Sequence, residues 1–139
     1  MLKVAIITSN ELRHDYFRLS LCNSKDFSVE YSIIEDNENN KQYISNNKNN
    51  TQIKNYLDHR IITEKDFFLD FIKSVDSKKN KLINIKKNQI NSNFVINYIS
   101  NNKPDLLITF GCGIIKNDLI KIMKNKIINI HLGISPYYL

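Results

Sequence analysis

Short apolar runs rich in β-branched residues recur along the chain, at Leu2 to Thr8 (LKVAIIT), Ser28 to Ile34, Lys81 to Ile85, Leu106 to Phe110 (LLITF) and Ile127 to Ile130 (IINI). Each reads as a strand, the first as a buried one and LLITF as a central one. Helical spacing fills the intervals. Leu12, Tyr16 and Leu19, widened by Phe17 and Leu21, share one face from Glu11 to about Cys22, behind Ser9-Asn10 as a helix cap. Thr63-Glu64-Lys65-Asp66 has the form of a capping box, after which Phe67, Phe68, Phe71, Ile72 and Val75 fall on one face. Asn91-Ser92 caps a helix that buries Phe94, Val95, Tyr98 and Ile99 and stops at Pro104-Asp105, and Asn117 heads a last helix to about Lys124. Apolar strands that alternate with amphipathic helices leave few folds open. Right-handed crossovers place helices on both faces of a mostly parallel sheet, so the expected class is α/β and Rossmann-like.

At 139 residues the chain fits one domain, and it can bury a core without disulfides or metals. Cys22 and Cys112 are far apart and match no metal-knuckle spacing, so two reduced thiols and no metal are expected. The net charge of +6 comes from lysines scattered among asparagines and isoleucines, with no arginine-aromatic interleaving, which argues against a nucleic-acid surface. No apolar run reaches the roughly 18 residues of a membrane span, and the opening residues lack the pattern of a signal peptide. A cytoplasmic protein without membrane partners is the expectation. The stretch from about Glu35 to Gln52 is dominated by Asn, Lys and acidic residues and reads as a long surface loop.

In open α/β sheets ligands bind beyond the carboxyl ends of the strands, near a switch in strand order, so the loops after Thr8, Phe110 and Ile130 are where chemistry is expected. The first, TSNELRH, has none of the glycines of a pyrophosphate-binding turn, which disfavours a dinucleotide dehydrogenase. The last is more unusual. Asn129 and His131 are two apart in extended chain and so face the same side, offering a hydrogen-bond donor for an oxyanion beside a group that moves protons near neutral pH. Taken alone the pair also fits a plainer role, with Asn129 capping a loop and His131 a satisfied, partly buried histidine.

Pro104-Asp105 before a hydrophobic strand, the turn Gly111-Cys112-Gly113 with Ile114-Ile115, a helix, then Asn129-x-His131 with Ser135-Pro136 shortly after, appear together in one order. This segment resembles the N-terminal domain of the folate-dependent formyltransferases, the family that includes glycinamide ribonucleotide, methionyl-tRNA and sugar N-formyltransferases. Ser9-Asn10-Glu11-Leu12-Arg13-His14 resembles a branch of the same family, and the middle of the chain matches in element pattern only. The resemblance implies that residues 1–139 are the N-terminal part of a catalytic domain that moves a formyl group from 10-formyltetrahydrofolate to an amine. It gives Asn129 the formyl oxygen as it becomes an oxyanion, and His131 the proton transfers.

By the same resemblance Gly111, Cys112, Gly113, Ile114 and Ile115 contact the folate through main-chain hydrogen bonds and apolar walls, while Arg13, His14 and Ser135 face the acceptor. Read without it, the glycine turn is an ordinary strand-to-helix connection, Arg13 a solvated helix residue, His14 a packing residue and Cys112 a buried thiol. A small amine such as an amino sugar is the favoured acceptor, with a purine precursor or an initiator tRNA as other members of the class. The third catalytic residue of the family, an aspartate, falls beyond Leu139. The chain by itself is therefore expected to be inactive, with a longer natural protein completing the site. A non-catalytic folate- or nucleotide-binding module, or a truncated remnant, is the competing reading.

Overall fold

The computed structural model describes residues 1–36, 51–76 and 80–131. Its elements, in chain order, are β1 (Leu2–Ser9), α1 (Leu12–Cys22), β2 (Phe27–Glu35), α2 (Thr51–Ser74), β3 (Leu82–Ile85), α3 (Asn93–Asn102), β4 (Leu106–Phe110), α4 (Asn117–Met123) and β5 (Ile127–Ile130). All strand pairs are parallel and the spatial order is β3-β2-β1-β4-β5. The chain runs outward from β1 to β3, then returns to lay β4 on the other side of β1. That reversal makes the β1/β4 boundary the switch point of a Rossmann-like sheet.

β1 is central, and Val4 through Ser9 are all buried, as a strand covered on both faces demands. On one face Ala5, Ile7, Tyr31, Ile33, Ile85 and Leu107 pack under Val95 and Ile99 of α3 and Leu119 and Met123 of α4. On the other, Val4, Ile6 and Ile108 meet Phe17 and Leu21 of α1. Ile6, Ile7 and Ile33 are fully buried, and each contributes roughly 1.5–3 kcal/mol over an exposed side chain. A register shift between Val4 and Ala5 leaves Glu30 of β2 without an opposite number, and exposed. α2 covers α1, with the Tyr16 ring 4.7 Å from Phe68 and 4.8 Å from Phe71.

Several boundaries differ from the sequence reading, each for a local reason. Thr63 does not cap a helix, because its hydroxyl donates to the His59 carbonyl four residues back (2.9 Å) inside one continuous helix. Phe67 and Phe94 point to solvent rather than into the core, at 76% and 57% exposure, because α1 and the sheet cover only the neighbouring face of each helix. Ser9 and Asn10 do not cap α1. Glu11 takes that place without a side-chain capping bond, and Ser9 is the last residue of β1. Lys116, not Asn117, precedes α4 in extended conformation. Ser92 does cap α3 through the Val95 N–H, and Lys103 closes that helix in a left-handed turn before Pro104. Glu35 belongs to β2 and Thr51 and Gln52 to α2, while 37–50, the rest of the expected surface loop, lies outside the described residues. Among the described residues no helix is long and apolar enough to cross a membrane.

Candidate active site

The ends of β1, β2 and β4 and the loop after β3 open onto a crevice of about 650 Å³, lined among others by Ser9, Asp36, Asn88, Asn91 and residues Gly111 to Ile114. A volume of this size suits a small-molecule site. It lies at the switch point, where the strand order places it. Gly111 begins its near wall with φ +61, a left-handed turn that bends the chain sharply away from β4. Ile114 stands 85% exposed beside the crevice. Cys112 and Ile115 turn inward against the core under α3 and α4, so Ile115 is not a wall of the crevice. Burial, and then the negative charge of Glu35, push the Cys112 thiol up to about 12, which keeps it protonated and unreactive near neutral pH.

Two polar residues of α1, His14 and Arg18, are buried rather than facing the crevice. His14 is 1% exposed, its Nδ1 hydrogen-bonded to Ser9 Oγ at 2.7 Å and its ring edge-on to Phe110 at 4.6 Å. Its Nε2 is buried with no hydrogen-bond partner among the described residues and lies against the Gly111 backbone. Arg18, four residues on and 3% exposed, plugs the end of β1: its guanidinium donates to the Ser9 carbonyl (3.0 Å), to Thr8 Oγ1 and to Asp15. The apolar-face reading of α1 missed this cluster. The polar pair Thr8-Ser9 closing an apolar strand, followed by His14 and Arg18 at helical spacing, was the available signal.

Burial, reinforced by the Arg18 charge and opposed by Glu64, lowers the His14 pKa from 6.5 to about 4, so the ring is neutral in the folded protein. Between these values the unfolded chain binds a proton that the folded one does not. The stabilisation is therefore complete above pH 6.5 and is lost as the pH falls towards 4. Thermal unfolding followed against pH tests this: His14→Asn should flatten the decline across that window relative to the parent. Parallel curves for the two proteins would show that His14 is not held neutral by burial.

Arg13 leaves the crevice altogether. It joins Glu11, Arg60 and Glu64 in a charge-balanced ring between α1 and α2, donating to Glu64 (2.9 Å) and Glu11 while Arg60 bonds the same two carboxylates at 3.0 and 3.1 Å. Both ends of its guanidinium are thus occupied.

Asn129 stands in register with Thr109 across the β4/β5 pair. The fully buried Thr109 donates its hydroxyl to Asn129 Oδ1 at 2.9 Å. The amide oxygen is therefore tied down and the N–H2 end is left as the donor at the sheet's carboxyl edge. Asn129 bonds a strand hydroxyl rather than capping a loop, and His131, just past β5, is exposed rather than partly buried. Neither residue lines the crevice. The Gly111 turn after β4 lies between the two regions. Ser135 lies outside the described residues. Thr109 was not singled out by sequence, although a lone threonine within the apolar LLITF, two residues before the glycine turn, marks it.

A scan against protein-family models finds no match, and neither does a comparison with curated protein sequences. Among solved structures the chain is similar to a phosphoribosylglycinamide formyltransferase from Anaplasma phagocytophilum, with 13% identity and a TM-score of 0.53. The match covers 97% of this chain and 52% of that one, so the chain spans about half the length of the structure it resembles. At that identity the likeness is one of backbone architecture, and it agrees with the parallel order found here: this chain carries the Rossmann-like α/β fold.

Proposed function

We propose that the chain contributes the β1–β5 part of a formyltransferase site, moving a formyl group from 10-formyltetrahydrofolate to an amine acceptor, with a small amine such as an amino sugar as the favoured class. The observation that carries this reading is the Thr109–Asn129 hydrogen bond, which fixes a carboxamide whose donor end has no partner among the described residues at the carboxyl edge, two residues before an exposed imidazole. The fold of a solved formyltransferase supports it. Asn129 hydrogen-bonds the formyl oxygen and strengthens that bond as negative charge gathers there, which lowers the barrier to attack by the amine. His131 accepts the proton that the attacking nitrogen must lose and returns it to the departing nitrogen.

The folate supplies an activated formyl group. The fit of its site is good in size and partial in chemistry. The crevice offers room for a heterocycle beside Gly111 and the exposed Ile114. Two main-chain groups of the segment that the family resemblance gives to the folate, the Gly113 N–H and the Ile114 carbonyl, are already bonded to Glu35 and Asn91. Gly111, Cys112 and the side chain of Ile114 are then the contacts left for the donor. Arg13 and His14 keep a structural part in this scheme, and the acceptor is held by residues other than these two.

Incubating the natural protein with 10-formyltetrahydrofolate and a panel of amino sugars tests the proposal. Mass spectrometry should find an acceptor heavier by one formyl group, with tetrahydrofolate formed in equal amount. Binding of the folate without transfer to any amine would favour a non-catalytic folate module. Absence of folate binding would refute the site assignment as a whole.

A further inference from the structure

Two side chains from elsewhere in the chain, Glu35 and Asn91, hold the loop between β4 and α4 in place. Glu35, the last residue of β2, is 5% exposed. Its Oε2 accepts the Gly113 N–H at 2.7 Å and its Oε1 accepts the Asn88 N–H at 2.8 Å. Asn88 sits in a left-handed turn (φ 65) after β3, so one carboxylate ties together the loops that follow two different strands. A Cβ on Gly113 would stand 3.1 Å from Oε2, so glycine makes room for the carboxylate there. Asn91 acts in parallel. Its Nδ2 donates to the Ile114 carbonyl at 2.8 Å and its Oδ1 accepts the Lys116 N–H at 2.7 Å. Three main-chain groups between residues 113 and 116 thus have side chains as partners, and all of these residues line the crevice.

We infer that Glu35 and Asn91 are positioning residues, which set the conformation of the 111–116 loop and through it the affinity of the crevice for its ligand. That the ligand is the folate rests on the formyltransferase reading; that the two side chains fix the loop does not. A carboxylate is suited to Glu35's place because both oxygens accept, whereas an amide of the same shape turns an N–H2 towards one of the two main-chain donors. That clash of donors frees one loop.

The test combines amide hydrogen exchange with binding of 5-formyltetrahydrofolate, a stable reduced folate, to the full chain and its Glu35→Gln variant. Exchange at whichever of Gly113 and Asn88 faces the glutamine N–H2 should quicken about ten-fold or more while core amides such as Leu107 hold their protection, and folate binding should weaken by a similar factor, the scale of one lost charge-assisted hydrogen bond. Unchanged exchange at both amides would overturn the inference, as would faster exchange with unaltered affinity. Should Glu35→Gln fail to fold, Asn91→Ala, which removes both of its bonds to the loop, is judged by faster exchange at Lys116 and by the same loss of affinity. If the parent binds no folate, the formyltransferase reading falls, and the positioning role is then decided by the exchange rates alone.

Discussion

Gly111→Ala is expected to destabilise the protein by about 3 kcal/mol, from a left-handed backbone that a side chain resists and from overpacking against a neighbour that has nowhere to go. With φ at +61, a Cβ here would stand 2.4 Å from His14 Nε2 and 2.5 Å from Cε1. The imidazole has little freedom to retreat. Its far side is bonded to Ser9, its face is crossed by Phe110, and Arg18 closes the space behind Ser9. Urea unfolding should show the midpoint falling by about 1–2 M at ordinary denaturant sensitivity. The double variant with His14→Ala separates the causes: it should recover the overpacking part and leave the backbone part. A midpoint close to the parent's for the single variant would mean that His14 does not occupy the space beside Gly111.

His131→Ala is expected to lower formyl transfer by roughly 10² to 10⁴-fold, the range of a positioned acid-base group, while donor binding stays near that of the parent. The exposed ring makes few contacts that its removal would disturb, so the loss should fall on turnover and not on stability. Asn129→Ala should reduce turnover by about 10² to 10³-fold, as the loss of an oxyanion donor does. Thr109→Val gives the graded control: Asn129 remains but its oxygen is untethered, and a turnover loss of about ten-fold with an unchanged donor affinity is expected. Steady-state rates with saturating folate decide between them. Full activity in His131→Ala would remove the catalytic assignment, and full activity in Thr109→Val would leave the strand hydroxyl a purely structural bond.

Much of the fold was legible because it rests on periodicity. LLITF and IINI coincide with β4 and β5 to the residue, since short runs of apolar and β-branched residues mark strands by composition, in the covered β4 and in the edge strand β5 alike. Ser92 as a cap and the end of α3 before Pro104 follow from local backbone chemistry and were equally readable. What escaped depends on distant partners. His14 read as facing the acceptor or as a packing residue and Arg18 was not singled out, because their partners lie at the polar end of β1. Arg13 looks available for an anion until α2 brings Glu64 to it across 51 residues. Glu35 was read as the start of a loop, and its role emerges only when residues 88 and 113 arrive beside it. Asn129 and His131 stood out as polar residues at the end of an apolar run, yet the hydroxyl that orients Asn129 belongs to another strand.

The placement of β1 between β2 and β4 has a consequence for how the molecule assembles. Among the described strands β1 meets β2 after a short connection, but its other neighbour begins at Leu106, and Lys3 finds its hydrogen bonds to Asp105 only across 102 residues. Closing so long a loop is entropically unfavourable before the contacts it brings can offset it, and parallel sheets fold slowly for that reason. Until then one edge of the most apolar strand lies open to other chains. The crevice is later still, because its wall needs the ends of β2 and β4 and the loop after β3 already in place. Among the described elements the buried β1 therefore waits longest for its second neighbour, and its exposure until then favours association with other chains or with chaperones.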